Sequence, residues 1–169
     1  GTCLEYGIGT KTDRHGAFLL YKKASELGER AALVALGVCY GNGIGTRLDY
    51  TLARDILTRA EKLGINGAAD AIMTIMERKK KKLAGRYHST AMRLIHMKKF
   101  DVAKAYLDVS AEMMDPRAIY TLGCMYEFGL GAVCDKERAF ALYEKAYAML
   151  FRDPRAEYKL AVIRKLKAK

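Results

Sequence analysis

The chain has 169 residues, of which 51% are hydrophobic, so it can bury one ordinary core. It has two prolines and no tryptophan, and its many Ala, Leu, Lys, Arg and Glu residues favour helix. No apolar run reaches the roughly 18 residues that a membrane-spanning helix needs, and no signal-peptide pattern opens the sequence. We therefore expect an all-α chain that is not transmembrane.

The first recognisable feature is a repeat with an offset of 36 residues. Residues 4–10, with the sequence LEYGIGT, align with residues 40–46, with the sequence YGNGIGT. The same offset aligns five further pairs: Cys3 with Cys39, Asp13 with Asp49, Ala17 with Ala53, Ala24 with Ala60, and Gly28 with Gly64.

The first half of the repeat predicts a helix that ends in a glycine turn. Ala32, Leu36 and Tyr40 are spaced i, i+4, i+8, which places them on one face of a helix. Gly37 is small where a neighbouring helix must come close. The Gly-x-Gly sequence at 43–45 supplies turn residues that tolerate positive φ, so it ends the helix.

The second half of the repeat predicts another helix. Asp49 is placed where its side-chain oxygen can cap the first turn. Ala53, Leu57 and Ala60 form an apolar stripe, and Gly64 ends the helix. The unit is therefore helix, glycine-rich turn, helix, turn. Because one such pair cannot bury both of its faces, pairs are expected to stack.

A third copy lies 86 residues after the second. It preserves the residues of the first apolar stripe, the small residues, the turn glycines and the capping aspartate: Ala118, Leu122, Gly123, Tyr126, Gly129, Gly131, Asp135, Ala139 and Ala146. Three copies of so many spaced small residues are a specific signal.

These copies resemble the Sel-one-like repeat family, which is related to the tetratricopeptide repeat. The family pattern A-x-x-x-L-G-x-x-Y-x-x-G-x-G-x-x-x-D-x-x-x-A-x-x-x-Y-x-x-A is matched nearly fully at 32–60 and 118–146, and its second half is matched at 3–28. The resemblance implies a right-handed α-solenoid of stacked antiparallel helix pairs without a sheet. It also implies a role as an adaptor or assembly scaffold. Secreted members pair cysteines within each repeat, but here Ala24 and Ala60 occupy the expected partner positions.

We expect a single α-solenoid fragment over residues 1–169. Its predicted parts are the second half of a repeat at 1–28, a full repeat at 29–64, a degenerate repeat with a basic insertion at 65–117, a full repeat at 118–150, and a C-terminal basic helix at 151–169. In the degenerate repeat, helices are predicted near 68–82, 86–98 and 100–113. Gly85 is the predicted break, and one long bent helix is the alternative.

The positive charge is concentrated in two segments. Nine basic residues and no acidic residue lie between Arg78 and Lys99, and four more basic residues lie in the tail from Arg164, so the remaining chain is slightly acidic despite the total of +11. Such local charge favours contact with RNA phosphates or an acidic partner, although a solvated helix and a membrane-surface helix remain alternatives. The candidate contacts are Lys79, Lys80, Lys81, Lys82, Arg86, Arg93, Lys98, Lys99, Lys165 and Lys167.

Several motifs could suggest chemistry, but none has a complete constellation. The glycines at 41–45 resemble a phosphate loop, but no strand precedes them and the turn recurs in other copies. The four cysteines form no CxxC pair, and His88 and His96 lack a third ligand. We therefore predict no enzyme activity, cofactor, metal or small-molecule substrate. Reduced cysteines fit an intracellular, reducing compartment, such as the cytosol or the mitochondrial matrix.

Two functions remain open. The first is a protein-binding scaffold or adaptor that helps assemble a multiprotein complex and holds partners in a groove lined by Val34, Ala35, Val38, Arg117, Thr121 and Met125. The second is a structural subunit of a large ribonucleoprotein, such as a mitochondrial ribosome or an RNA-processing complex, with RNA contacts through 78–99 and the C-terminal tail. The incomplete first repeat also predicts that further repeats or a partner cover its N-terminal face.

Overall fold

The computed structural model describes residues 1–149, and within that range the chain forms eight α-helices and no strand. The helices are α1 (Thr2–Tyr6), α2 (Arg14–Glu26), α3 (Arg30–Asn42), α4 (Tyr50–Lys62), α5 (Ala68–His96), α6 (Phe100–Glu112), α7 (Pro116–Phe128) and α8 (Lys136–Met149). The fold is the α-solenoid of stacked antiparallel helix pairs that the sequence predicts. The predicted helix at 151–169 lies outside the described residues.

The helices belong to two compact units whose boundary falls inside α5. Unit 1 comprises residues 1–79, and unit 2 begins at residue 80. In unit 1, α3 packs between α2 and α4, and in unit 2, α7 packs between α6 and α8. The first helix of a pair therefore contacts both its own partner and the second helix of the preceding pair, as repeat stacking requires.

Carboxylate side chains cap the N-termini of five helices, α2, α3, α4, α7 and α8. The sequence predicts three of these caps. Asp13, Asp49 and Asp135 each accept backbone N–H bonds of 2.9 to 3.0 Å from the first turn of the second helix of a pair. Glu29 and Asp115 cap α3 and α7 in the same way. Each cap satisfies a backbone donor that has no partner within the helix.

The second glycine of the Gly-x-Gly turn provides contact between successive helix pairs. Gly45 has a φ of 67°, and its backbone lies against the start of α2. An added Cβ would come within 2.9 Å of the His15 Cα and closer still to the Arg14 carbonyl. The His15 Nδ1 also lies 2.8 Å from the Gly45 carbonyl oxygen. Gly45 is therefore required both for its left-handed conformation and for this close approach.

The same contact recurs in unit 2 but is missing at the first turn of the chain. A Cβ on Gly131 would lie 2.6 Å from the Phe100 carbonyl carbon, at the start of α6. Gly9 has a similar φ of 71°, yet a Cβ there would have nothing within 4 Å. The Gly9 turn thus has the conformation of the other two turns without their neighbouring helix.

Glycines also bring the two helices of a pair together. A Cβ on Gly37 would lie 2.5 Å from the Cγ of Leu57, which is fully buried between α3 and α4. A Cβ on Gly123 would lie 2.5 Å from the Cε1 of Tyr143, between α7 and α8. The prediction that Gly37 admits a neighbouring helix is confirmed, and Gly123 has the same role in unit 2.

The middle of the chain differs from the sequence prediction at Gly85. Residues Ala68–His96 form one helix of 29 residues, so the predicted break is wrong and the alternative of one long helix is correct. A Cβ on Gly85 would lie 3.2 Å from the Arg117 Nη2, so this glycine makes room for a side chain of α7. The buried Ala84 and Ala91 flank it and fix this part of α5 in the unit 2 core.

Other parts of α5 have fewer contacts. No residue between Ile75 and Ala84 is buried. At the end of this stretch, the buried hydroxyl of Ser110 donates a hydrogen bond of 2.9 Å to the Ala84 carbonyl. Between these points Met76 and Leu83 are half-buried and Arg78 donates a hydrogen bond to the Asn42 side chain, whereas Lys79, Lys80, Lys81 and Lys82 are exposed.

Candidate partner-binding grooves and basic segment

The first candidate site is a groove in unit 1, which we call groove 1. It has a volume of about 410 Å³. Val34, Ala35 and Val38 of α3 line it together and are half-buried, whereas Leu36 and Cys39 point from the same helix into the core. The structure thus places three of the predicted groove residues in one cavity. The remaining lining residues are Thr2, Glu5, Tyr6, Tyr21, Ala31, Ile65 and Asn66.

Groove 1 has few charged groups. The charged side chain that lines it is Glu5, whose carboxylate accepts a hydrogen bond of 2.9 Å from the Tyr21 hydroxyl. Burial is the main cause that raises the pKa of Tyr21, and Glu5 adds to it, so the phenol remains a neutral donor. Tyr6 is 69% exposed beside this pair. The groove therefore offers aliphatic and aromatic surface with a polar edge.

The second candidate site, groove 2, lies within unit 2 and has a volume of about 370 Å³. It contains the predicted groove residues Arg117 and Thr121 of α7. The side chains that complete it come from three helices: His88, Met92, Pro116, Tyr120 and Tyr147. The sequence points to His88 only as a possible metal ligand and does not place Met92, Tyr120 or Tyr147 in a groove. The sequence does contain one relevant signal: His88 and Met92 are spaced i, i+4, which places them on the same face of a helix.

Met125 is the predicted groove residue that the structure contradicts. Its side chain is 1% exposed and packs in the core with Leu107 and Leu122. Each step of four residues turns a side chain by about 40° around a helix. Arg117 is therefore exposed, Thr121 is half-buried, and Met125 faces the core.

An ion pair holds the charged side chain of groove 2. The Arg117 Nε and Nη2 donate to the two Asp115 carboxylate oxygens at 3.1 and 2.8 Å. Burial alone would raise the pKa of Asp115, but the hydrogen bonds from Arg117 outweigh it and hold the pKa below its usual value. The Asp115 side chain is 6% exposed, whereas that of Arg117 is 59% exposed. Solvent therefore meets the guanidinium rather than the carboxylate.

His88 lies beside this pair. Its Nε2 is 3.5 Å from the Thr121 hydroxyl. Burial, together with the positive charge of Arg117, lowers the pKa of His88 below its usual value. The lowered pKa favours the neutral imidazole, so His88 adds a polar group to groove 2.

The third candidate site is the basic segment of α5 and the turn after it. Its eight predicted contact residues within the described chain are all exposed: Lys79, Lys80, Lys81, Lys82, Arg86, Arg93, Lys98 and Lys99. Within residues 1–149 none of them forms a salt bridge. Within the same residues, the side chains of this set make one hydrogen bond to the protein, from the Arg93 Nη2 to the Thr90 hydroxyl at 3.4 Å. Lys165 and Lys167 lie outside the described residues.

Three other features bear on the predicted chemistry. All four cysteines are free thiols, and burial raises the pKa of Cys39 to about 11. The described residues bring no three His, Cys, Asp or Glu side chains together as a metal site. None of the helices in residues 1–149 is long and apolar enough to cross a membrane.

Comparison with known proteins agrees with the repeat seen in the sequence. The family model described as Sel1 repeat matches residues 1–29, 30–65 and 116–149, together more than half of the chain. It leaves 66–115 unmatched, the region where the sequence predicts a degenerate repeat. Among curated proteins, none matches the chain.

The solved structures that are similar to the chain include two repeat proteins. The Sel1 repeat protein from Oxalobacter formigenes is 24% identical, with a TM-score of 0.39, over 94% of this chain and 58% of that one. The protein c5321, a protective antigen present in uropathogenic Escherichia coli strains that displays an SLR fold, is 18% identical, with a TM-score of 0.42, over 96% of this chain and 39% of that one. The chain thus spans less than two thirds of each of these proteins.

Proposed function

Because the chain belongs to the Sel1 repeat family, we propose that it is a non-catalytic scaffold that binds other proteins and helps assemble a multiprotein complex. Sel1 repeat proteins are generally protein-interaction scaffolds. The observation that supports this role most directly is a groove on the first helices of the repeats, present in unit 1 and again in unit 2.

The chemistry of groove 1 suits a short peptide or a helix. Val34, Ala35 and Val38 present half-buried apolar surface, and covering such surface contributes about 25 cal/mol per Å². The polar edge at Glu5 and Tyr21 can bind backbone groups of the partner. An apolar floor with a few polar groups is typical of sites that bind peptides through one or two anchor side chains.

Substitution in groove 1 tests the scaffold function. Short random peptides displayed on phage are selected on the unmodified chain, and the selected pool is then measured on Val38→Glu. We expect at least about a tenfold loss of affinity, because a partner would have to bury the new carboxylate without a partner charge. Ala35→Glu is a second variant at the same site, and circular dichroism verifies that both fold.

Leu27→Glu is the matched control, because Leu27 is 79% exposed and does not line groove 1. The control should bind the pool as the unmodified chain does. Two results would contradict the scaffold function. The chain could select no peptides above background. Alternatively, the selected pool could bind Val38→Glu, Ala35→Glu and Leu27→Glu equally and also be insensitive to substitutions in groove 2.

The N-terminal face offers a separate surface for a further repeat or a partner. The Gly9 turn has the conformation of the turns at Gly45 and Gly131, each of which receives the first turn of a neighbouring helix. Tyr6 and Ile8 beside it are 69% and 62% exposed. These features support a helix of another repeat as the occupant of this face.

The exposed basic segment favours a second candidate function, a structural role in a ribonucleoprotein. Its lysines and arginines have no carboxylate partners among the described residues, so they are available to phosphates. In this case the segment 78–99 and the C-terminal tail would contact RNA in a mitochondrial ribosome or an RNA-processing complex. The free thiols support a reducing compartment such as the cytosol or the mitochondrial matrix.

RNA binding measured by fluorescence anisotropy tests this second function. The affinity of the unmodified chain should fall roughly 10³-fold between about 50 mM and about 200 mM salt if six or more phosphates are contacted. Changing six residues to Gln should remove both the binding and the salt dependence: Lys79, Lys80, Lys81, Lys82, Arg86 and Arg93.

A control variant with the same loss of charge changes six exposed residues of unit 1 to Gln: Lys11, Lys22, Lys23, Arg47, Arg54 and Arg59. It should bind RNA nearly as the unmodified chain does. Equal losses in the two variants would show that net charge rather than the basic segment drives binding, and the ribonucleoprotein role would be rejected.

A further inference from the structure

We propose that groove 2 binds acidic segments of partner proteins, with one apolar side chain of the partner inserted between α5, α7 and α8. This inference rests on the scaffold function and adds the chemical class of the partner. It concerns unit 2 alone, because every residue that lines groove 2 lies in that unit.

The floor of groove 2 accepts an apolar side chain. Met92 and Pro116 provide aliphatic surface, and Tyr120 and Tyr147 provide aromatic surface. Met92 is half-buried, and its unbranched thioether side chain adapts to different partner shapes. A cavity of about 370 Å³ is large enough for one large aliphatic or aromatic side chain.

The charge at the edge of groove 2 is positive. Arg117 is the charged side chain in the lining, and its exposed guanidinium is held in place by Asp115. Lys81 is exposed and lies seven residues before His88, so both lie on the same side of α5. Groove 1 differs, because its lining carries the carboxylate of Glu5. The linings of the two grooves therefore differ in the sign of their charged side chain.

On α5 from residue 78 onward and at the start of α7, no exposed carboxylate opposes an acidic partner at groove 2. Asp115 is buried, and both of its oxygens accept hydrogen bonds from Arg117. Between residues 78 and 99 the sequence contains no Asp or Glu. The carboxylate nearest along α8 is that of Glu144, one turn before Tyr147. An aspartate or glutamate beside the inserted side chain would meet Arg117 and Lys81 on the side of the groove formed by α5 and α7.

The same groove is poorly suited to stacking RNA bases. The Tyr120 ring packs against Tyr143 and Tyr147, with centroid distances of 5.1 and 5.8 Å. Tyr143 and Tyr147 are themselves buried. Because these rings pack against one another in tilted and T-shaped arrangements, they offer no open platform of the kind that binds single-stranded bases. The apolar cavity and the positive edge therefore favour an acidic peptide.

The test uses peptides selected from the random phage library on the unmodified chain. Peptides that bind groove 2 are identified by a loss of binding of about tenfold or more on Met92→Glu and by unchanged binding on Val38→Glu. We expect this group to contain more Asp and Glu than Lys and Arg, next to a large apolar residue. Replacing its acidic residues by Gln should weaken binding.

Charge variants of the protein supply the second measurement. Lys81→Glu should weaken these peptides by about threefold to tenfold, because it reverses a charge on the side of α5 that carries His88. Lys80→Glu is the matched control, since it makes the same charge change about 100° away around α5. It should have a much smaller effect, and both exposed substitutions should leave the fold intact.

Three outcomes would overturn the inference. Groove 2 peptides could prove neutral or basic, or Lys80→Glu could weaken them as much as Lys81→Glu. Alternatively, polyuridine could bind in a manner sensitive to Met92→Glu while no acidic peptide is selected, which would make groove 2 an RNA site. If peptides bind only groove 1, the inference fails and the scaffold function stands. If peptides bind neither groove, the scaffold function fails as well.

Discussion

Gly45→Ala is expected to lower the free energy of unfolding of unit 1 by about 3 kcal/mol, whereas Gly9→Ala should lower it by about 1 kcal/mol. Both glycines have a φ near 70°, so the backbone strain of an added Cβ is the same at the two sites. The difference comes from packing, because the Cβ at Gly45 would overlap the start of α2 and the Cβ at Gly9 would meet nothing within 4 Å.

Hydrogen exchange of the α2 and α3 amides measures this difference, because their protection reports the free energy of opening unit 1. Gly9→Ala is the matched control for strain. Equal costs at the two positions would mean that the contact between Gly45 and α2 contributes nothing. In a preparation in which a further repeat covers the N-terminal face, the cost of Gly9→Ala should rise toward that of Gly45→Ala.

Leu57→Ala should have an effect of similar size, about 3 kcal/mol, since Leu57 is fully buried between α3 and α4 and its removal leaves a cavity. Gly37→Ala should cost about 1 to 2 kcal/mol, because the new Cβ would lie 2.5 Å from the Leu57 Cγ. In the double variant the methyl group at 37 enters the space that Leu57 leaves. The double variant should therefore be more stable than the sum of the two single effects predicts.

A double-mutant cycle followed by hydrogen exchange of the α3 and α4 amides measures this coupling, which we expect to be about 1 kcal/mol or more. Ala53 lies on the same helix as Leu57 and is fully buried, so Ala53→Gly combined with Gly37→Ala serves as the comparison pair. Strict additivity of Gly37→Ala and Leu57→Ala would show that the two positions do not pack against each other.

Much of the fold follows from local signals that the sequence displays. The turn glycines and the capping aspartates have conformations that few other residues adopt, so their spacing identifies the helix ends directly. Gly85 shows where this reasoning fails. A glycine inside a helix costs only about 1 kcal/mol, and α5 continues through Gly85 with Ala84 and Ala91 buried on either side of it. The need for space beside Arg117 depends on tertiary contact, which the local sequence does not show.

The candidate sites were only partly predictable for the same reason. Val34, Ala35 and Val38 belong to one helix, so helical spacing alone brings them to one groove. Groove 2 combines side chains of α5, α7 and α8, and their meeting depends on how the three helices pack. Met92 and Tyr147 are 55 positions apart in the sequence, and no local periodicity connects them.

The unburied stretch of α5 links anion binding to helix formation. Between Ile75 and Ala84 no side chain is fully buried, and the exposed Lys79 and Lys82, three residues apart, are neighbours on the helix surface. Like charges at this spacing destabilise the helix by a few tenths of a kcal/mol per pair. Any anion that neutralises them binds the helical form more tightly than a locally unwound form. By thermodynamic reciprocity, the helix and its ligand then stabilise each other to the same extent.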